Sequence, residues 1–279
     1  MVKPRLLHRG RESYFFLTLH HLVTDGVSWR ILLDDLALLL SQRERGESFR
    51  LSEKRDSYQR FAECLSREEN QTEFPVASGG YWMSGARTVC CAVPHELTER
   101  LVKRQRSCGK RMEDILLYAL YRALTRLGLG QEIWVELEGH GRGQAASCHV
   151  ERTVGWFTAL RLLRLFTPEG ARREAWPEIQ EITDSGGAHT AVRRIRFNYL
   201  GELRTRKNSF FEALPSVWPG DIGGRNRVSC RVCVDVLLVQ GRLKAHFTFK
   251  EDDSLCAGLP AAYLQALDGA ARLAVHNGT

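Results

Sequence analysis

With 279 residues, 43% of them hydrophobic, the chain is long enough for one large or two small domains with a packed core. Forty basic against 33 acidic residues leave a net charge of +7. The charges fall in small clusters such as Arg43-Glu44-Arg45 and Arg193-Arg194, without the aromatic-interleaved basic stripe of a nucleic-acid binder, so no nucleic-acid partner is expected. No run of about 18 apolar residues is present, nor the apolar core of a secretory signal, so a soluble cytoplasmic protein without membrane contact is expected. Cys64, Cys90, Cys91, Cys108, Cys148, Cys230, Cys233 and Cys256 are too dispersed for a secreted disulfide framework, and reduced thiols are expected.

In chain order, residues 14–19 form a short aromatic run that predicts a buried strand, which delivers His20 and His21 to its end. Alternation along a strand would turn one histidine toward a cleft and the other inward. Asp25-Gly26 signals a turn, and Ile31, Leu32, Leu36 and Leu39 or Leu40 predict a helix ending near Gly46. A second helix is expected over 57–65, and Ala77-Ser78-Gly79-Gly80 reads as a linker. Beyond it come a strand over 88–93, a helix over 96–105, and a strong amphipathic helix over 113–127 closed by Gly128. A strand over 132–137 runs into the glycine-rich loop Glu138-Gly139-His140-Gly141-Arg142. Strands over 153–165, 194–200, 228–239 and 242–249 and a helix over 259–275 complete a mixed α/β or α+β pattern.

Several familiar chemistries are unsupported by spacing. Cys230-Arg231-Val232-Cys233 has redox or metal spacing, but it lies in an alternating apolar run without a second pair, so neither metal nor redox use is expected. Cys90 and Cys91 have only His95 nearby in sequence, with nothing to orient a base toward a thiolate. Gly26-Val27-Ser28-Trp29-Arg30 lacks the second glycine of a nucleophile elbow, and Gly139-His140-Gly141 lacks the lysine and following helix of a phosphate loop.

His20-His21-Leu22-Val23-Thr24-Asp25-Gly26 resembles the double-histidine motif of the condensation-domain superfamily of nonribosomal peptide synthetases, and Val27-Ser28-Trp29-Arg30 resembles its epimerization branch. Asp114-Ile115-Leu116-Leu117, Glu138 to Arg142, Arg152-Thr153-Val154-Gly155-Trp156-Phe157-Thr158 and Phe197-Asn198-Tyr199-Leu200-Gly201-Glu202 follow in that family's order. The resemblance implies a chloramphenicol-acetyltransferase-like, two-lobed V with an incomplete first lobe. Residues 1–80 would be the remnant of that lobe and residues 85–279 the second, with the histidines at a tunnel between them. It also implies a peptidyl carrier protein and neighbouring synthetase modules as partners, and a separate chain as one source of the missing lobe. No cofactor of its own is implied, since the substrate rides on the carrier's phosphopantetheine.

The implied reaction inverts the α-carbon of an aminoacyl or peptidyl thioester, for which two positioned acid/base groups suffice. His21 and Glu138 are the candidates. Standing alone, His21 would read as a hydrogen-bonded core histidine and Glu138 as a solvated carboxylate at a strand end. His20, Asp25, Gly26 and Trp29 belong to the structural motif, with Asp25 expected in a salt bridge to Arg30 or Arg152. Arg152, Asn198 and Tyr199 are candidate donors to a thioester oxyanion or, equally, packing groups. The chain departs from the family at Arg161-Leu162, at Gly143-Gln144 and between about 168 and 193, where its glycine-rich motif is not recognisable. A condensation-type domain that forms peptide bonds, and a non-catalytic fragment that only docks a carrier protein, are the alternatives.

Overall fold

The computed structural model describes residues 1–67, 80–170, 175–182, 195–203 and 222–273. Two compact units are present: Met1–Gln71 with Gly139–Ala159 and Arg206–Ala213, and Thr72–Glu138 with Leu160–Thr205 and Leu214–Thr279. Residues 139–159, expected in the second lobe, group with the first. Most of the expected linker and most of the segment between 168 and 193 lie outside the described residues.

In the first unit, strands β1 (Val2–Arg9) and β2 (Glu12–Leu19) form an antiparallel ribbon, Val2 opposite Leu19 and Arg9 opposite Glu12. The strand expected over 14–19 is present, but it is not buried: Phe15 and Phe16 are 50% and 44% exposed. A two-stranded ribbon provides too little surface to enclose its own aromatic side chains. β1 has no sequence signal, because Pro4 and its scattered basic residues break alternation. Helix α1 (Gly26–Glu44) follows, stopping just before Gly46, and then α2 (Tyr58–Arg67). Phe61 and Cys64 of α2 pack with Ala145, Cys148, Val150 and Phe157 into a small apolar core.

The second unit contains β3 (Tyr81–Trp82), β4 (Ala86–Ala92), α3 (His95–Cys108), α4 (Met112–Arg126), β5 (Glu132–Gly139), β6 (Ala159–Phe166), β7 (Glu178–Ile182), β8 (Ile195–Leu203), β9 (Arg227–Val228), β10 (Val232–Val239), β11 (Arg242–Lys250) and α5 (Ser254–Arg272). Seven strands form one sheet in the order β4-β11-β10-β8-β5-β6-β7, while β3 and β9 make a separate two-stranded ribbon. β5, β8 and β10 are mutually parallel, with β11 and β4 added antiparallel.

Side-chain alternation sorts this sheet into two chemically distinct faces. Ile133, Val135, Leu137, Ile195, Phe197, Val232, Val234, Val236, Leu243, Ala245, Phe247 and Phe249 all point into one core with the apolar sides of α3, α4 and α5. The opposite face carries polar residues that lie in rungs across the strands. One rung aligns Glu136, Arg196, Cys233, Thr248 and Thr88; the next aligns Glu138, Asn198, Asp235, His246 and Cys90.

Candidate active site

In the first unit, the double histidine lies where the ribbon ends. His20 leaves β2 and caps a single 3-10 turn over His21–Val23, its Nδ1 accepting from the Leu22 amide at 3.2 Å. Strand alternation therefore stops before it can separate the two rings. Both histidines are exposed, against the expectation that one would pack inward. The His21 ring meets Trp156 in a T-shaped contact, with centroids 5.7 Å apart.

Four residues on, Asp25 is almost fully enclosed. One carboxylate oxygen accepts from the Ser28 amide at 2.7 Å, so Asp25 is the N-cap of α1. Arg142 grips both oxygens, Nη1 to Oδ2 at 2.7 Å and Nη2 to Oδ1 at 3.2 Å, and the Phe157 amide adds a fourth bond at 3.2 Å. Burial pushes the Asp25 carboxyl up, but the Arg142 and Ser28 hydrogen bonds outweigh it, and the net displacement is below the usual carboxylate range. The expected partners Arg30 and Arg152 are thereby corrected. Arg30 is exposed on α1, and Arg152 pairs with Asp35 one helical stretch further on.

Arg142 is the functional residue that sequence reasoning missed as a partner, since it lies 117 residues away from Asp25. Its guanidinium also donates to Ser28 Oγ and to the Thr153 carbonyl, both at 3.1 Å, and covers the Phe157 ring at 4.1 Å. Ser28 Oγ completes the clasp by donating to the Gly155 carbonyl at 2.9 Å and accepting its amide at 3.1 Å. The glycines are needed for space. A Cβ on Gly141 would lie 1.8 Å from the Phe157 carbonyl oxygen, and one on Gly155 would lie 2.4 Å from the Tyr58 ring. With every lone-pair direction engaged, Asp25 positions the histidine turn and α1 and has no oxygen free for proton transfer.

Glu138, in the second unit, is set in the polar rungs of the sheet. Asn198 on β8, directly opposite, donates its amide to Glu138 Oε2 at 2.9 Å. Arg196, two residues earlier on the same face, contacts Glu136 at 3.1 Å and Glu138 Oε1 at 3.6 Å. Glu136 is enclosed while the Glu138 side chain remains about a fifth exposed, so one carboxylate anchors the arginine and the other stays reachable. Both contacts fix the direction in which the Glu138 carboxylate points. Asn198 therefore orients Glu138. Tyr199 has the opposite parity and packs on the helix-covered core.

The remaining motif residues are structural. Gly26 opens α1, and Trp29 lies half-buried in its first turn, its amide bonding the Asp25 carbonyl at 3.1 Å. Among the described residues, no group of three or more histidine, cysteine or acidic side chains is placed to hold a metal ion. Nor, among them, is any helix long and apolar enough to cross a membrane.

The fold is the mixed α/β fold of solved condensation and epimerization domains. The epimerization domain from the third module of tyrocidine synthetase B superposes with a TM-score of 0.79 at 22% identity, covering 97% of this chain and 71% of that one. The first condensation domain of the CDA synthetase superposes at 0.66 and 15% identity, covering 97% and 66%. Residues 5–172 match the Condensation domain family, and the chain belongs to that family. Among curated relatives, bacitracin synthase 1 of Bacillus licheniformis is 27% identical over 90% of this chain. Gramicidin S synthase 1 of Brevibacillus brevis is 28% identical, also over 90%. The alignments span only 6% and 28% of those two proteins' lengths.

Proposed function

We propose that this chain acts as an epimerization-type domain of a nonribosomal peptide synthetase, inverting the α-carbon of an aminoacyl or peptidyl thioester presented by a carrier protein. The observation that carries the reading is the Glu138 carboxylate. It is partly exposed on β5, oriented by Asn198 and placed beside Arg196. Peptide-bond formation demands no such second acid/base group, whereas inversion demands one on each side of the reacting carbon.

His21 and Glu138 are the two groups in this reading. One takes the α-proton, which the adjacent thioester acidifies, and the electron pair moves onto the thioester oxygen as an enolate. The other returns a proton to the opposite face, and the thioester carbonyl reforms. Atoms and charge balance without a cofactor of the domain's own; the phosphopantetheine arm belongs to the carrier. Asp25 and Arg142 hold the histidine turn, while Asn198 and Arg196 hold Glu138. Arg152, engaged with Asp35, supports α1 and not the enolate.

The test is α-proton exchange in deuterated water with a carrier protein loaded with an aminoacyl or dipeptidyl thioester, read by mass and chiral analysis. Exchange with appearance of the D isomer is expected, and it should fall by about 100-fold or more in His21→Ala and in Glu138→Gln. Exchange retained in both variants would refute the assigned pair. A second reading, condensation, is favoured by the family match over 5–172. It predicts a new peptide bond with an amine-bearing second carrier, and Glu138→Gln leaving that product unchanged.

A further inference from the structure

The spacing of Cys230 and Cys233 within one expected strand implies opposite faces, since residues three apart on a strand have opposite parity and are about 10 Å apart. The chain does otherwise. Between β9 and β10 it bends at Cys230 and Arg231, and the two sulfurs come to 2.7 Å from each other. The bend is pinned from the side. Arg231, between the two cysteines, forms a two-pronged pair with Asp253, Nε to Oδ2 at 2.7 Å and Nη2 to Oδ1 at 3.0 Å. Asp253 in turn caps α5 through the Cys256 amide at 3.1 Å. Cys230 is buried against Tyr81 and Val228, while Cys233 is only partly covered and faces Arg196 across the parallel ladder.

We propose that Cys230 and Cys233 are a redox-active dithiol that closes into a disulfide by exchange with a low-molecular-weight disulfide of the glutathione type. The partly exposed Cys233 thiolate attacks one sulfur of the oxidant, forming a mixed disulfide and expelling one glutathione thiolate. Cys230, already in contact, then attacks the Cys233 sulfur and displaces the second glutathione. The protein loses two protons and two electrons, and one glutathione disulfide becomes two thiols. Closure shortens the sulfur separation from 2.7 Å to the bonded length of about 2.0 Å, and the bend already supplies the approach. The Cys233 thiol's hydrogen bond to Cys230 and burial hold it well above its usual range, with the Arg196 charge opposing them. Exchange at neutral pH is accordingly slow and is best followed at mildly alkaline pH.

The pair differs from Cys64 and Cys148, whose sulfurs approach to 3.0 Å but are both enclosed in the first unit's core. The experiment incubates the reduced, folded chain with glutathione disulfide, quenches with an alkylating agent and maps the peptides by mass. The expected result is a Cys230–Cys233 disulfide, reversed by dithiothreitol, with no glutathione retained on either residue. Cys230→Ser should instead trap glutathione stably on Cys233. Both cysteines recovered alkylated from the folded wild-type chain, or a stable glutathione adduct on wild-type Cys233, would overturn the proposal. The readout is independent of epimerization, so the failure of one does not imply the failure of the other.

Discussion

The two units solve the same problem by different means. In the second, alternation gives the sheet one continuous apolar face, and α3, α4 and α5 cover it; Leu116, Leu120, Phe197, Phe247 and Tyr263 are all essentially inaccessible. In the first, α1 carries many apolar residues, yet Ile31 is the one among them that is buried, and the β1–β2 ribbon leaves Val2, Leu6, Leu7, Phe15 and Phe16 exposed. Order near the double histidine comes instead from the Asp25–Arg142–Ser28–Gly155 clasp. Directional bonds set atoms to within tenths of an ångström but fail abruptly when one partner is lost, whereas an apolar core yields by degrees.

The comparison can be broken most directly at its strongest points. Arg142→Met leaves the enclosed Asp25 carboxylate uncompensated and should cost about 3–5 kcal/mol, measured by urea unfolding with Trp29 and Trp156 as reporters. Phe247→Ala should cost a similar 3–5 kcal/mol in the second unit through the cavity it leaves. If Arg142→Met costs less than about 1 kcal/mol, the first unit does not depend on its clasp. Gly141→Ala is expected to cost about 1–3 kcal/mol, because its φ of +57° and the Phe157 carbonyl both oppose a Cβ. At the small end, Phe16→Ser should change stability by no more than about 0.5 kcal/mol despite the large apolar side chain, since Phe16 is already largely exposed.

Acid sharpens the same contrast. The Asp25 carboxyl is depressed in the folded chain, so its contribution is present above the unfolded carboxylate value of about 3.9 and is lost as pH falls through the lower folded value. Stability of the first unit should therefore decline with acid. In Arg142→Met only the Ser28 and Phe157 amides oppose burial, so the Asp25 pKa rises and the acid-side loss of stability should shrink. Denaturant midpoints measured from neutral pH into the acid range check both slopes, and identical slopes in the two proteins would contradict the clasp. Asp253 in the second unit, held at about 2 chiefly by Arg231, predicts a loss confined between about 4 and 2 in both proteins.

Elements whose signal is local were legible. The amphipathic pattern over 113–127 corresponds to α4, Met112–Arg126, and the alternation over 242–249 to β11, Arg242–Lys250. The strand expected over 153–165 is shortened to β6, Ala159–Phe166, because the Gly155 and Phe157 amides are spent on Ser28 and Asp25 and not on a ladder. The strand over 228–239 is interrupted for a comparable reason, with Arg231 drawn aside by Asp253. In both places a side chain distant in sequence outcompetes the backbone pairing that periodicity predicts.

By itself, the sequence determined the family and the mixed α/β pattern, because motifs and periodicities are written in neighbouring positions. Only the tertiary structure decided that Arg142 is the partner of Asp25, that Asn198 and Arg196 hold Glu138, that both histidines stay exposed, and that Cys230 and Cys233 touch. The physical reason is that ion pairs, ladder registers and bends depend on distances between residues far apart in the chain, and hydrophobic periodicity carries no information about which polar group will lie opposite another.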